Sequence, residues 1–310
     1  MTSFAHKPVL MAEVLAALKP KPGGRYADGT VGGAGHAAAI LAASSPTGWL
    51  FGCDRDGVAV EAATARLAGS FAGRFEIRRG NFSELAEGVA AESCDGVLLD
   101  LGVSSPQLDA AERGFSFQQD GPLDMRMDAR QRLTAAELVN AASAEKLAEI
   151  FWEFGNEEQS RRFAQAIAHD RTAQRFATTR QLADLIERLS PRRGRKTHPA
   201  TKVFQALRIA VNDELGSLRR GLVAAVKILR PGGRLAVITF HSLEDRVVKE
   251  FGRASTRDYT FPGGVDVPEL RVPRRPELNW VERKAIRPGA EELADNPRSR
   301  SAQLRVLGKN

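Results

Sequence analysis

The reading of the fold turns on the stretch Asp28-Gly29-Thr30-Val31-Gly32-Gly33-Ala34-Gly35-His36. Four glycines fall within seven positions, after the short extended segment Arg25-Tyr26-Ala27 and before the alanine-rich run from Ala37 to Ala43. Between a strand and a helix, such a run permits a tight turn and lets a ligand lie almost on the backbone. The helix N-terminus beyond it offers unpaired N–H groups. Nineteen positions past Gly35 stands Asp54, closing the apolar run Trp49-Leu50-Phe51-Gly52-Cys53. An acidic residue at about 20 positions is the expected partner of ribose hydroxyls. The stretch therefore predicts a site for a nucleoside-containing cofactor.

Two cofactors compete for it. Gly33-Ala34-Gly35-His36-Ala37-Ala38 fits G-x-G-x-x-A, which keeps a nicotinamide dinucleotide open. Asp28 points the other way. A carboxylate just before the glycines repels a pyrophosphate and suits a ligand with a positive amino-acid end, such as S-adenosylmethionine.

Outward from this turn, strands and helices alternate. Strands are predicted at 25–28, 49–53, 75–79 and 96–101, and helices at 9–18, 36–43, 57–69 and 83–92. Near-continuous apolar strands separated by helices predict a parallel sheet covered on both faces. The alternation stops for about 110 residues, far more than the roughly 30 of a simple crossover. It resumes with a helix near 213–229, a stop at Arg230-Pro231-Gly232-Gly233 and the strand Leu235 to Phe240. The surplus predicts an inserted helical domain, with helices at 134–140, 144–154, 157–170 and 179–189. Two further strands, Asn279 to Ile286 and Ala302 to Leu307, joined by a polar link from Glu291 to Ser301, predict an antiparallel pair finishing the sheet. A reversed final strand favours a methyltransferase sheet over a dinucleotide-binding one. The expected class is α/β: a doubly wound, Rossmann-like S-adenosylmethionine-dependent methyltransferase sheet, residues 1–107 and 210–310, interrupted by a helical, partly basic domain over 108–209.

Composition agrees with a soluble globular protein of 310 residues, 43% hydrophobic and 27% charged. Cys53 and Cys94 lack C-x-x-C spacing and lie in apolar runs, which predicts free buried thiols, no disulfide framework and no metal site. No signal peptide and no membrane-spanning run is read, so a cytoplasmic protein without a membrane partner is expected. The net charge is +7. From Arg188 to Asn212 seven basic residues (Arg188, Arg192, Arg193, Arg195, Lys196, Lys202, Arg208) occur with no acid, the pattern of a nucleic-acid contact.

The fourth strand ends Asp100-Leu101-Gly102-Val103-Ser104-Ser105-Pro106-Gln107. Ligands of open α/β sheets bind beyond the C-terminal strand ends, so Asp28, Asp54 and Asp100 are expected at one crevice. Methyl transfer is an in-line displacement, for which the protein mainly holds donor and acceptor in line. If the acceptor is an exocyclic amine, the site must also bind its hydrogens and let a proton leave. Asp100 with Ser104 and Ser105 stands where that chemistry is needed. His241, in Phe240-His241-Ser242-Leu243-Glu244-Asp245-Arg246, is a candidate proton relay, and Ser242 with Asp245 an equal candidate for a helix start. The stretch at Asp100 loosely resembles the Asp/Asn-Pro-Pro-aromatic loop of amino-methyltransferases but lacks its aromatic. Phe115, Phe117 and Phe204 are candidates for stacking on a base. Asp124, Arg126 and Asp128 share one side if extended, where they can pair among themselves. Arg113, Arg126, Arg192, Arg193, Arg195, Lys196, His198, Lys202 and Arg208 are the candidate RNA contacts.

Taken together, the run at 28–36, Leu99 to Asp109, Glu112 to Phe117, Asp120 to Asp128, His198 to Thr201, Phe204 to Ile209, Phe240 to Arg246 and Asn296 to Ser301 resemble the ribosomal RNA small subunit methyltransferase H family, also called MraW. The resemblance implies S-adenosylmethionine as cofactor and methylation of N4 of a cytidine in the decoding region of 16S rRNA, with the small ribosomal subunit as setting. It implies cofactor contacts at Ala34, Gly35, His36, Asp54, Phe82, Asp100 and Gln107, beside Asp28 read above. Ala34 stands where the family often has Gly. A nicotinamide oxidoreductase and a non-catalytic RNA-binding assembly factor are the competing readings.

Overall fold

A computed structural model of the chain describes residues 8–192, 194 and 197–310. These form two compact units, one of residues 8–102 with 215–310 and one within Val103–Glu214. The insertion expected over 108–209 thus begins and ends five residues further out.

The first unit opens with α1 (Met11–Leu18), β1 (Arg25–Asp28), α2 (Gly35–Ala43), β2 (Trp49–Asp54), α3 (Gly57–Phe71), β3 (Phe75–Arg79), α4 (Leu85–Gly88) and β4 (Cys94–Asp100). One helix start here has a side-chain cap. Asp56 caps α3, accepting from Val58 N at 3.1 Å. The helix expected over 83–92 is one 3₁₀ turn, Phe82–Glu84, followed by the short α4, which ends at the poor helix former Gly88.

The second unit holds α5 (Ser105–Asp109), α6 (Ala135–Ala141), α7 (Ala144–Gly155), α8 (Ser160–Asp170), α9 (Thr179–Leu189) and α10 (Thr201–Asn212). Thr134 with Glu137 and Thr178 with Gln181 form capping boxes on α6 and α9. Its core gathers Leu147, Ile150 and Phe151 of α7, Phe163 and Ile167 of α8, Leu182 and Ile186 of α9, and Val203, Phe204 and Leu207 of α10. The helix α10, which the sequence analysis does not predict, lies inside the basic stretch from Arg188 to Asn212.

The chain returns with α11 (Glu214–Ile228), β5 (Leu229–Thr239), α12 (Ser242–Ser255), the small strands β6 (Tyr259–Thr260) and β7 (Val272–Pro273), β8 (Leu278–Ile286), α13 (Ala290–Asp295) and β9 (Gln303–Lys309). The strand β5 is longer than expected because Leu229 pairs with Cys94 before the Pro231-Gly232-Gly233 irregularity and pairing resumes at Arg234. The link from Glu291 to Ser301 holds α13 and a 3₁₀ turn, Pro297–Ser301, rather than irregular chain alone.

The main sheet has the order β3-β2-β1-β4-β5-β9-β8. Strand β1 runs parallel to β2 and β4, and β4 to β5. Strand β9 is antiparallel to both β5 and β8. The order reverses between β1 and β4, so the crevice beyond their C-terminal ends is the switch point at which such sheets take ligands. Tyr26, Leu50, Leu98, Ile238, Leu304 and Val306 of the strands pack with Ile40, Leu41 and Leu67 of the helices as this unit's core.

Candidate active site

The glycine turn is stitched between its neighbouring strands. Gly29 N donates to Leu98 O at 2.9 Å and Val31 N to Cys53 O at 3.0 Å. Two of the glycines are required by protein packing. A Cβ on Gly29 would lie 2.5 Å from Leu99 Cδ2 and 2.7 Å from Phe82 Cβ, and one on Gly35 only 2.2 Å from Pro8 Cγ. Gly32 is different: its φ is +48° and a Cβ there would meet nothing nearer than Thr30 O at 3.9 Å. Ala34 also has a left-handed φ, 58°, as the residue before α2. The backbone between them is the part of the turn that a ligand can approach.

Around it stand the three predicted carboxylates. Asp28, 1% exposed, accepts from Thr30 N at 3.1 Å. Thr30 Oγ1 in turn accepts from Asp100 N at 2.7 Å, which ties the ends of β1 and β4 together. Asp54 accepts from Gly32 N at 3.0 Å and from Asp56 N at 2.9 Å. Asp100 Oδ2 lies 3.6 Å from His36 Nε2, while its buried Oδ1 has no hydrogen-bond partner. Among the described residues, Asp28 and Asp54 enter no ion pair.

Burial without a cation has an electrostatic consequence. Desolvation, with the Asp54 charge behind it, pushes Asp28 up to about 7 against the hydrogen bonds from Thr30. Desolvation also raises Asp54, opposed by N–H bonds from Asp56 and Gly32. Asp100 is raised well above the usual carboxylate range by burial, then by Asp28 and Glu244. The group is a charge-poor acid cluster that gains stability from a ligand bringing positive charge and hydroxyl donors. A pyrophosphate brings the opposite charge. The residues present therefore fit a sulfonium nucleoside with an ammonium end.

His241 caps α12. Its Nδ1 accepts from Glu244 N at 3.4 Å, and Glu244 Oε2 accepts from Phe240 N at 2.8 Å and His241 N at 3.3 Å. The helix start expected at Ser242 with Asp245 is thus shifted by one residue. Asp245 instead meets Arg305 of β9 and lies 3.3 Å from Lys249. Glu244, 2% exposed, was not singled out from the sequence. The spacing His241-x-x-Glu244 was the signal, with histidine in the place usually held by Ser, Thr, Asp or Asn. Phe82 packs against α11, where a Cβ on Gly221 would sit 2.2 Å from its ring.

In the second unit Gln107 lies on α5, buried, and its Oε1 accepts from Ser104 N at 3.0 Å. Ser105 is the first residue of that helix. Phe115 and Phe204 are buried in the unit's core, and Phe117 stacks edge-on to Phe204 at 4.7 Å. Three candidate arginines are engaged internally. Arg113 donates to Arg126 O at 3.0 Å and Met127 O at 3.2 Å. Arg126 pairs with Asp124 at 2.7 Å and donates to Gln131 O at 2.7 Å. Arg208 holds Glu214 with two bonds of 2.8 Å. Asp128 pairs with Arg130 rather than with Arg126. Arg192 lies 3.3 Å from Glu187, His198 3.4 Å from the same carboxylate, and Lys202 donates to Asn156 O at 2.9 Å. Arg193, Arg195 and Lys196 lie outside the described residues.

With this geometry in view, comparison with known proteins is informative. Residues 3–310 match the model of the MraW methylase family. The chain is 50% identical over 310 residues to the ribosomal RNA small subunit methyltransferase H of Syntrophotalea carbinolica, covering 98% of each protein. It is 50% identical over 312 residues to that of Geobacter sulfurreducens, covering 99% of each. Against that of Thermomicrobium roseum it is 49% identical over 307 residues, covering 98% of this chain and 93% of the relative. No helix among the described residues is long and apolar enough to cross a membrane. A sheet of methyltransferase order, an acid cluster at its switch point and end-to-end similarity to these enzymes lead to one assignment: this chain belongs to the MraW methylase family.

Proposed function

We propose that this protein is the S-adenosylmethionine-dependent methyltransferase of small-subunit rRNA in its cell, acting in the cytoplasm on the N4 amine of a cytidine in the decoding region of 16S rRNA. The observation that carries the cofactor is the set of acids at the switch point, the buried Asp28 and the half-buried Asp54 and Asp100, of which Asp28 and Asp54 have no ion-pair partner among the described residues. The methyltransferase H relatives support the RNA substrate, the chemistry of Asp100 supports an exocyclic amine as acceptor, and the choice of the cytidine N4 rests on the family resemblance.

The donor, when bound, supplies an activated methyl group and a fixed positive charge. Asp54, at the end of β2, offers carboxylate oxygens for ribose hydroxyls while the Gly32 N–H holds it in place. Asp28 faces the amino-acid end. Phe82, whose ring packs beside Gly221 of α11, is the proposed partner of a flat heterocycle. Asp100 Oδ1, buried and without a hydrogen-bond partner, offers an acceptor for an amine hydrogen. An exocyclic amine conjugated with its ring is a weak nucleophile and must lose a proton as it is methylated. A desolvated carboxylate is a stronger base than a solvated one, and a neighbouring positive charge keeps it ionised until the proton arrives. His241, bound into the cap of α12, holds Glu244 beside this group. It serves the reaction by positioning.

The basic stretch Arg192, Arg193, Arg195, Lys196, His198 and Lys202 is the proposed grip on the RNA backbone. Arg113, Arg126 and Arg208 are not assigned to that grip, since their guanidinium groups are engaged inside the unit. The test is methyl transfer from labelled donor to naked 16S rRNA and to 30S particles, with nucleoside mass analysis of the product. Label recovered as N4-methylcytidine supports the reading. Label on another nucleoside, or none on either substrate, refutes it.

A further inference from the structure

Between α12 and β8 the chain leaves the main sheet for an excursion of its own, residues 256–277. The strands β6 and β7 pair there as a separate two-stranded ribbon, Tyr259 with Pro273 and Thr260 with Val272. The excursion is firmly based. Arg274 N donates to Asp258 O at 2.7 Å, its side chain reaches Arg257 O and Ala254 O, and Glu277 N donates to Ser255 O at 3.2 Å. On this base sits a stack of rings and guanidinium groups. Arg257 lies 5.0 Å from the Phe261 ring centre and 5.2 Å from that of Tyr259. Arg271 lies 4.3 Å from the Tyr259 ring. The Tyr259 hydroxyl donates to Asp266 at 2.7 Å, and Arg271 Nε to the same carboxylate at 2.8 Å, so ring and cation are locked together.

Most of this surface faces solvent. Val265, Leu270 and Val272 are among the most exposed large apolar side chains among the described residues, the first at 73%. Arg253, Arg257 and Arg275 enter no ion pair among the described residues, and Arg253 and Arg275 are exposed. Aromatic rings interleaved with guanidinium planes, rimmed by free cations, match unpaired nucleobases on a polyanionic strand. Bases stack on both kinds of plane, and the cations attract the phosphates.

We propose that this excursion is a second RNA-contact surface, on which Phe261, Arg257, Tyr259 and Arg271 form a stacking platform for unpaired bases of the substrate rRNA. The proposal deepens the functional reading above and rests on it for the identity of the strand. The platform follows the C-terminal end of α12, whose N-terminus carries His241. A helix of 14 residues separates them by about 20 Å. It therefore acts on RNA binding and register rather than on the chemical step.

The variants Phe261→Ala and Arg257→Gln leave the Tyr259–Asp266–Arg271 tie in place. Each is expected to weaken binding of a 16S rRNA fragment at least about fivefold, the loss of one stacked base. Each should raise KM for RNA, leaving kcat at saturating RNA, the melting temperature and donor affinity unchanged. In parallel, RNA carrying 4-thiouridine is irradiated with wild-type protein and digested with trypsin, and cross-linked nucleotide is expected on the peptide 258–271. Wild-type affinity in both variants with no cross-link on that peptide overturns the platform while methyl transfer by the wild type stands. A cross-link without methyl transfer overturns the functional reading alone. Variants that bind RNA normally but lose affinity only for intact 30S particles show a protein partner and overturn the RNA proposal.

Discussion

Replacing Asp28 by Asn should change stability and donor binding in opposite directions, and both effects should depend on pH in a way the structure dictates. The carboxyl of Asp28, ordinarily near 3.8, keeps its proton until about 7 in the folded protein. Unfolded chain releases that proton near 3.8, so between these values the native state binds more protons than the unfolded one, and stability falls as pH rises. By about 1.4 kcal/mol per pH unit, the cost above pH 7 is of order 4 kcal/mol. A cationic ligand needs the carboxylate ionised. Below about pH 7 it must displace the proton, and each pH unit lowers its affinity by up to about tenfold. From about pH 8 to about pH 5.5 the Kd for sinefungin, which carries an ammonium in place of the methylsulfonium, should rise about 30-fold. Calorimetry in buffers of different ionisation enthalpy should show release of about one proton near pH 6. In Asp28→Asn the Kd should be nearly flat with pH at the weak, acid-side value of the wild type. The free variant should melt higher than wild type at pH 8, with the gain shrinking as pH falls below about 7 and vanishing only near the unfolded value of 3.8. A wild-type Kd independent of pH, or a variant that keeps the full slope, would show that Asp28 does not face the positive end of the ligand.

Other residues yield further expectations. Asp100→Asn retains size and removes the proton acceptor, so kcat at saturating donor should fall by at least about 10²-fold, the typical weight of a general base, and donor affinity should weaken as well because the donor's charge and the carboxylate stabilise each other; near-normal turnover would remove Asp100 from the chemistry. Gly29→Ala sets a methyl 2.5 Å from Leu99 and should destabilise the protein by about 1–3 kcal/mol in denaturant titration, with a midpoint equal to wild type contradicting the packing described. Asp245 is pushed up by burial, but Arg305 and Lys249 outweigh that and hold it below the usual range. Its contribution is thus present above the unfolded pKa and lost as pH falls, so the destabilisation by Asp245→Asn should be largest near neutral pH and shrink toward pH 3. Replacing Arg192, Arg193, Arg195 and Lys196 together should lower the slope of log K against log salt by up to about 3 for single-stranded RNA, measured by filter binding from low to high salt; an unchanged slope would place the RNA elsewhere.

Much of the sheet was legible because its signals are local. A buried parallel strand must be apolar almost throughout, so Trp49 to Cys53 and Val97 to Leu101 announce themselves. The glycine turn is equally local: Gly32 is needed for its own φ. The three aspartates at strand ends followed from chain order alone, since successive strands of such a sheet end at one edge. The helices of the second unit begin at caps such as Thr134 and Thr178, which are local features of the chain. Helix α10 was masked by its charges, although Val203, Phe204, Ala206 and Leu207 give it an apolar face.

The sequence by itself determined which carboxylates reach the crevice: Asp28, Asp54 and Asp100 beside a glycine turn. Tertiary structure decided what each of those groups experiences. Whether Gly29 serves a ligand or Phe82 and Leu99, whether Arg126 meets RNA or Asp124 and the Gln131 carbonyl, and whether Glu244 is solvated or buried against the start of α12 depend on partners brought together by the fold. The physical reason is that a charge has no fixed strength along a chain: desolvation and the nearest partner set it, and both come into being only when distant segments pack.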